Sequence, residues 1–242
     1  MIPEWQSRTK LLLGSEALKV LKHSHVLVAG LGGVGAYAAE MLCRAGIGKL
    51  TIADGDKVQA SNRNRQLIAL QSTIAKVKAD LMKERLLDIN PKLEVFAINE
   101  FLQADNLDRL LQEKYDYVVD AIDTLSPKVH LIHKTLLKGY PVVSSMGSGG
   151  KLDPLQIQIC DIDESHTCKL AYNIRKQLHR LGVRQGFKVV FSPEVVSKDS
   201  VQLISGERNK RSTVGTVSYM PPVFGCLMAS VVIRELISES KK

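Results

Sequence analysis

The sequence predicts a Rossmann-like α/β fold: a doubly wound, mainly parallel sheet with an antiparallel extension and a C-terminal helix. Three observations carry that expectation. Short apolar runs alternate with helical segments from residue 25 to residue 145. A glycine cluster, Gly30, Gly32, Gly33 and Gly35, joins the first run to an alanine-rich helical stretch. An acid, Asp54, closes the second apolar run about twenty residues further on. With 242 residues and 45% apolar content the chain can bury one sizeable core.

Residues 1–24 read as an N-terminal helical arm, in which 16–22 form a short helix with Leu18 and Leu21 turned inward. Residues 25–150 read as the nucleotide-binding half. Val26-Leu27-Val28-Ala29 is a buried strand, and the glycines after it have separate tasks. Gly30 allows the turn, Gly32 and Gly33 let a phosphate approach the backbone, and Gly35 lets the next helix pack close to the strand. The unpaired N–H groups of that helix's first turn then face whatever anion sits there. Leu50 to Ala53 is the second strand, and Asp54 at its end is placed to hold a ribose hydroxyl. This fingerprint alone serves NAD as well as ATP.

Residues 55–65 are polar where many nucleotide-binding folds run directly into a helix. Beyond them the pattern predicts a helix at 74–87, a strand at 93–98 and a helix at 104–112. A strand at 117–123 runs into the carboxylate of Asp123, followed by a helix at 128–137 and a strand at 141–145. Ligands of such sheets bind at the carboxyl ends of the strands. Residues 151–242 read as a second half of one compact domain. There, 156–160 alternate like an antiparallel edge strand, a basic crossover segment follows, and a helix at 223–237 ends the chain.

The formal net charge is +8, and ten Lys or Arg residues against three acids fall between Lys169 and Arg211. That cluster is either a solvated helix and loop or a surface for the phosphates of RNA or DNA. The four cysteines form no C-x-x-C pair, which argues against a zinc ribbon, a thioredoxin-like site or a secreted disulfide scaffold. Cys43 and Cys226 read as core, while Cys168 is the thiol to watch. His130 and His133 share a helix face without a third metal ligand nearby. The first ten residues lack a signal-type apolar stretch, so the expected location is the cytoplasm. The uncharged stretch 212–233 contains Pro221-Pro222 and several hydroxyls and reads as a buried strand and helix, with no membrane association.

Asp54-Gly55-Asp56, Ser61-Asn62-Arg63-Asn64-Arg65-Gln66, Lys78 and Asp120-Ala121-Ile122-Asp123, taken with the glycine loop, resemble the signature of the ubiquitin-activating-enzyme superfamily. That superfamily includes adenylating enzymes of the molybdopterin and thiamine pathways. An NAD enzyme has no need for this set around its pyrophosphate; an enzyme that cuts ATP between the α- and β-phosphates does. Arg65 and Lys78 are then the cations beside the triphosphate, with Asn62 a neutral donor. The resemblance further implies that Asp54 holds the ribose and that Asp123 helps hold Mg²⁺. Arg8, ahead of Leu11-Leu12-Leu13-Gly14, matches an arginine lent to the partner subunit's ATP, which implies a homodimer.

Within the superfamily the chain is most similar to the tRNA threonylcarbamoyladenosine dehydratases. The similarity extends to Gly147-Ser148-Gly149-Gly150, Asp153-Pro154-Leu155-Gln156, Val190-Phe191-Ser192-Pro193-Glu194 and the stretch from Val214 to Pro221. It implies ATP-dependent closure of the threonylcarbamoyl side chain of an anticodon-loop adenosine of tRNA into a ring, by way of a carboxyl-adenylate. ATP and Mg²⁺ are the implied cofactors, and a sulfur-relay protein is an admissible partner. His166-Thr167-Cys168 departs from the acidic residue and proline often found there. The alternative is adenylation of the carboxyl terminus of a ubiquitin-like sulfur carrier, though many such enzymes carry paired zinc-binding C-x-x-C motifs. A nucleotide-sensing RNA-binding module without chemistry has no need for Arg65, Lys78 and Asp123 together.

Overall fold

In the computed structural model, which describes residues 3–203 and 212–239, an arm formed by α1 (Ser7–His23) leads into a seven-stranded sheet. The strands are β1 (His25–Ala29), β2 (Lys49–Ala53), β3 (Glu94–Ile98), β4 (Tyr117–Asp120), β5 (Val142–Ser145), β6 (Gln158–Asp161) and β7 (Lys188–Phe191). Their spatial order is β3-β2-β1-β4-β5-β7-β6, parallel throughout except that β6 runs antiparallel to β7. A further antiparallel pair, β8 (Val201–Leu203) and β9 (Ser212–Val214), stands apart from this sheet.

Every residue of β1 is buried, as a central parallel strand requires. Val26 and Val28 enter one core, Leu27 and Ala29 the other, because successive side chains point to opposite faces. The first core is closed by α1, α2 (Gly35–Ala45), α3 (Lys78–Ile89) and α7 (Met220–Glu239). The second lies under α4 (Ala104–Leu110), α5 (Leu125–Leu137) and α6 (Lys169–Arg180). The strand order reverses at β1, with β2 on one side and β4 on the other, which opens a crevice beyond their carboxyl ends.

Several elements differ from the sequence expectation for identifiable reasons. The arm begins at Ser7 and kinks at Gly14, where φ is 82°. The helix expected from residue 74 starts only at Lys78, because the preceding residues pair with the stretch after β2. Val58 N–H donates to Lys76 O, Ala75 N–H to Val58 O and Lys78 N–H to Asp56 O. The fourth strand ends at Asp120, three residues early, and β7 enters the sheet where only helix and loop were expected. The segment 220–238 is long and apolar enough to cross a membrane. Its Met220, Phe224, Met228 and Val232 are buried in the core, and at Gly225 a Cβ would come within 2.4 Å of Val34 O on the α2 side. That close crossing turns Gly225 inward and leaves Cys226, expected in the core, exposed.

Candidate functional site

The crevice at the carboxyl end of β1 is shaped first by its glycines. Gly30 has φ +90°, and a Cβ there would lie 2.7 Å from Ala121 O. A Cβ at Gly35 would meet Gly30 O at 1.8 Å, so strand and helix pack backbone to backbone as expected. Gly33 has a packing task as well: its absent Cβ makes room for Pro221 Cβ at 2.9 Å and Arg65 O at 3.3 Å, against α7. Gly32 faces open space, with Gln66 Nε2 the nearest atom at 3.7 Å. The N–H groups of Gly32, Gly33, Val34 and Gly35 have no hydrogen-bond acceptor among the described residues, and α2 begins behind them.

Asp54 braces this loop. Its Oδ2 accepts from Leu31 N–H at 2.6 Å and its Oδ1 from Asp56 N–H at 2.8 Å. Burial pushes its carboxyl above the ordinary value, against the opposing pull of Lys78 and of those two hydrogen bonds. The expected ribose-holding acid is thus also a structural tie. Lys78 heads α3 with its side chain 4% exposed, and its Nζ lies 3.0 Å from Asp56 Oδ2. Sequence reasoning gave Asp56 no role, although Asp54-Gly55-Asp56 marked the position. Its partner becomes apparent only once residues 56–58 pair with 75–78.

Asn62 is buried in a 3₁₀ turn and accepts from Gln59 N–H at 3.0 Å. Arg65 Nη1 donates to Ser61 O at 3.0 Å and to Asn64 Oδ1 at 2.8 Å, which fixes its guanidinium on the loop beside Gly33. Gln66, the next residue, has a buried Oε1 without a partner among the described residues, an acceptor that suits a donor such as a hydroxyl or amine rather than a phosphate. Four free N–H groups and a nearly buried ammonium fit the phosphates of a nucleotide.

On the other side of the crevice, Asp120 and Lys128 form a fully buried ion pair, Nζ to Oδ2 2.7 Å. Asp120 also accepts from Ser144 Oγ at 2.6 Å and from Ile122 N–H at 3.1 Å, while Lys128 Nζ donates to Ile122 O at 3.0 Å. This network, missed in the sequence, fixes the turn that presents Asp123, which is exposed. A single exposed carboxylate suits Mg²⁺ arriving with phosphates rather than an all-protein metal cage. Among the described residues no group of three or more His, Cys, Asp or Glu could hold a metal. Arg8 is not part of this cluster: it is exposed on the first turn of α1, near Leu11 and Leu12, which are 88% and 83% exposed.

Beyond the crevice, Cys168 is buried at the start of α6 after a tight turn in which Cys168 N–H donates to His166 O and Thr167 has φ 60°. Lys151 is buried nearby, its Nζ donating to Ser192 O at 3.2 Å and to Glu194 O. Burial lowers the pKa of its ammonium, partly offset by Cys168 and Glu194. On α6, Arg175 departs from the expected basic face. Its guanidinium turns inward onto Ile162 O and onto Ser165 O and Oγ. Arg208, Lys210 and Arg211 of the basic segment lie outside the described residues. A cavity of about 660 Å³ lined by His25, Thr51, Phe96 and Tyr115 reaches the amino ends of β1 and β2, away from the glycine loop.

Known proteins resemble the chain in sequence and in fold. The ThiF family model covers residues 6–242. The chain is 39% identical over 240 residues to the tRNA threonylcarbamoyladenosine dehydratase of Bacillus subtilis, covering 96% of this chain and 94% of that one. It superposes with TM-score 0.90 and 32% identity on the crystal structure of Escherichia coli tRNA N6-threonylcarbamoyladenosine dehydratase, TcdA, in complex with ATP. That match covers all of this chain and 98% of the other. The adenylyltransferase and sulfurtransferase UBA4 of Lodderomyces elongisporus is 35% identical over 152 residues, 63% of this chain and 32% of its own length.

Proposed function

The chain belongs to the ThiF family, and from there we propose that it catalyses ATP-dependent cyclisation of the threonylcarbamoyl side chain of N6-threonylcarbamoyladenosine in tRNA. The observation that carries this reading is the full-length agreement with a dehydratase crystallised with ATP, in a chain whose crevice offers free N–H groups, Lys78 and Arg65 together. The sulfur-carrier alternative has weaker support, since its relative aligns with 63% of the chain.

The glycine-loop N–H groups and the α2 terminus bind phosphate oxygens, and Lys78 and Arg65 neutralise charge as the substrate carboxylate reaches the α-phosphorus. A carboxylate oxygen forms the new P–O bond and pyrophosphate leaves, giving the acyl-adenylate. The carbamoyl group of the same side chain then attacks the activated carbonyl, the ring closes, and the C–O bond to AMP breaks. Holding nucleophile and carbonyl in one molecule gives the step a high effective molarity, so no cysteine nucleophile is needed. Mg²⁺ would neutralise phosphate oxygens, with Asp123 its protein ligand. Asp54 would accept from the ribose while keeping its tie to Leu31.

The active unit in this proposal is a homodimer in which Arg8 of one protomer completes the other's site. Exposed Leu11 and Leu12, three and four residues after Arg8 on α1, support it by offering an apolar surface beside that arginine. A sulfur-relay partner and a cytoplasmic location belong to the same proposal. Incubation with Mg-ATP and tRNA carrying threonylcarbamoyladenosine, followed by nucleoside mass spectrometry, tests the reaction. The expected product has lost one water only when ATP is present; an unchanged nucleoside overturns the reading.

A further inference from the structure

The basic crossover segment resolves into two kinds of cation. Arg175 is spent internally on Ile162 and Ser165. Lys169, Lys176 and Arg180 are exposed and make no ion pair or side-chain hydrogen bond among the described residues. Helical spacing places them on one side of α6, opposite the buried Ala171, Ile174 and Leu178. Between them, Tyr172 is 57% exposed, an aromatic ring three residues after Lys169 and four before Lys176. A ring left in water among unpaired cations gains nothing from the core it turns away from.

From this we infer that the outer stripe of α6, made of Lys169, Tyr172, Lys176 and Arg180, is the RNA-docking surface, with Tyr172 stacking on an unpaired base. The inference rests on the tRNA reading above and adds where and how the RNA is held. The His166 ring packs edge-on to Phe191, the last residue of β7, with centroids 5.3 Å apart, so α6 starts at the carboxyl edge of the sheet where the crevice opens. Its twelve residues then lead away from that edge over about 18 Å. Tyr172 sits on the first turn, nearest the crevice, and Arg180 at the far end. An anticodon loop offers the same sequence of groups: splayed bases near the modified adenosine, then a stem of regularly spaced phosphates. Unpaired bases are recognised by stacking on aromatic side chains, and stems by interactions with phosphate. An acidic protein surface would satisfy the cations and leave the ring without a partner.

The test is a binding titration of the full-length protein with an anticodon stem-loop RNA bearing threonylcarbamoyladenosine, at several salt concentrations, with a fully paired RNA duplex as a second ligand. Tyr172→Ala is expected to weaken stem-loop binding about tenfold or more, while leaving the salt slope and duplex binding unchanged. Tyr172→Phe restores the affinity. The double variant Lys176→Ala/Arg180→Ala weakens both ligands and makes the log–log salt slope shallower by roughly 0.7–0.9 for each phosphate no longer neutralised. Tyr172→Ala binding the stem-loop like the parent overturns the inference, as does an unchanged slope in the double variant. Conversion of whole tRNA by the parent is measured alongside. Its absence would count against the proposed reaction, whereas the titration decides the docking surface either way.

Discussion

The crevice beyond β1 and the outer face of α6 use charge in opposite ways. In the crevice the ionic groups are already engaged: Asp54 holds Leu31 N–H, Lys78 holds Asp56, and Asp120 holds Lys128. On α6 the cations at Lys169, Lys176 and Arg180 are unpaired among the described residues. Each arrangement suits a different task. A site that stabilises developing charge needs its groups fixed before the substrate arrives, since orientation during the reaction adds to the barrier. A surface that captures a polyanion benefits from hydrated cations whose counterions are released on binding.

The largest effect separating the two regions is expected at Lys78. Replacing it with alanine removes one oriented cation, and loss of one such group commonly raises the barrier by about 2.7–4 kcal/mol. AMP formation at saturating tRNA should therefore fall about a hundredfold to a thousandfold, with tRNA affinity unchanged. Asp56, 53% exposed, stays hydrated, so the fold survives the loss of its partner. Parental AMP release from Lys78→Ala would remove the ammonium from the chemistry.

The glycines come next. Gly35→Ala drives a Cβ into Gly30 O and should cost about 3 kcal/mol of stability, read as a lower Tm. Gly32→Ala meets only the far end of Gln66 and should keep the parental Tm while raising the KM for ATP. Equal Tm losses in the two variants would mean that Gly32 is packed rather than facing phosphate. A third, smaller signal is subunit complementation. Mixing inactive Arg8→Ala and inactive Asp123→Ala chains should restore part of the activity, because a mixed dimer holds one site with both residues intact. No recovery despite demonstrated subunit exchange counts against a shared site.

The smallest effect is expected at Glu194. Burial alone would raise its carboxyl pKa, but hydrogen bonds from Leu152, Asp153 and Ser192 and the charge of Lys151 hold it below the ordinary value. A carboxyl depressed on folding contributes stability above its unfolded pKa, and that contribution is lost as pH falls through the folded pKa. Glu194→Gln should accordingly lower Tm at neutral pH and narrow the gap to the parent on the acid side of the carboxylate range. A Tm difference that does not change with pH would assign the effect to packing.

Much of this was legible from residue types and spacing. The glycine cluster, the alternation that built the parallel sheet and the family signature at Asn62, Arg65, Lys78 and Asp123 all lie in local sequence. What was not legible depended on which way a side chain turned or which distant segment it met. Arg175 and Lys176 are neighbours of like charge, yet a rotation of about 100° along the helix sends one to Ser165 and the other to solvent. The packing task of Gly33 becomes visible only once Pro221, far along the chain, is seen against it. Asp56 and the Asp120–Lys128 pair gain their meaning from backbone pairing and burial that no spacing rule encodes.

Activation of the substrate carboxylate by adenylation in the β1 crevice can be read by following oxygen. The threonyl carboxylate of the modified tRNA is labelled with heavy oxygen, the reaction is run with Mg-ATP, and the released nucleotide is examined by mass spectrometry. An acyl-adenylate that collapses by ring closure predicts AMP carrying one labelled oxygen for each cyclised adenosine. Unlabelled AMP, or label in inorganic phosphate alongside ADP, would contradict it.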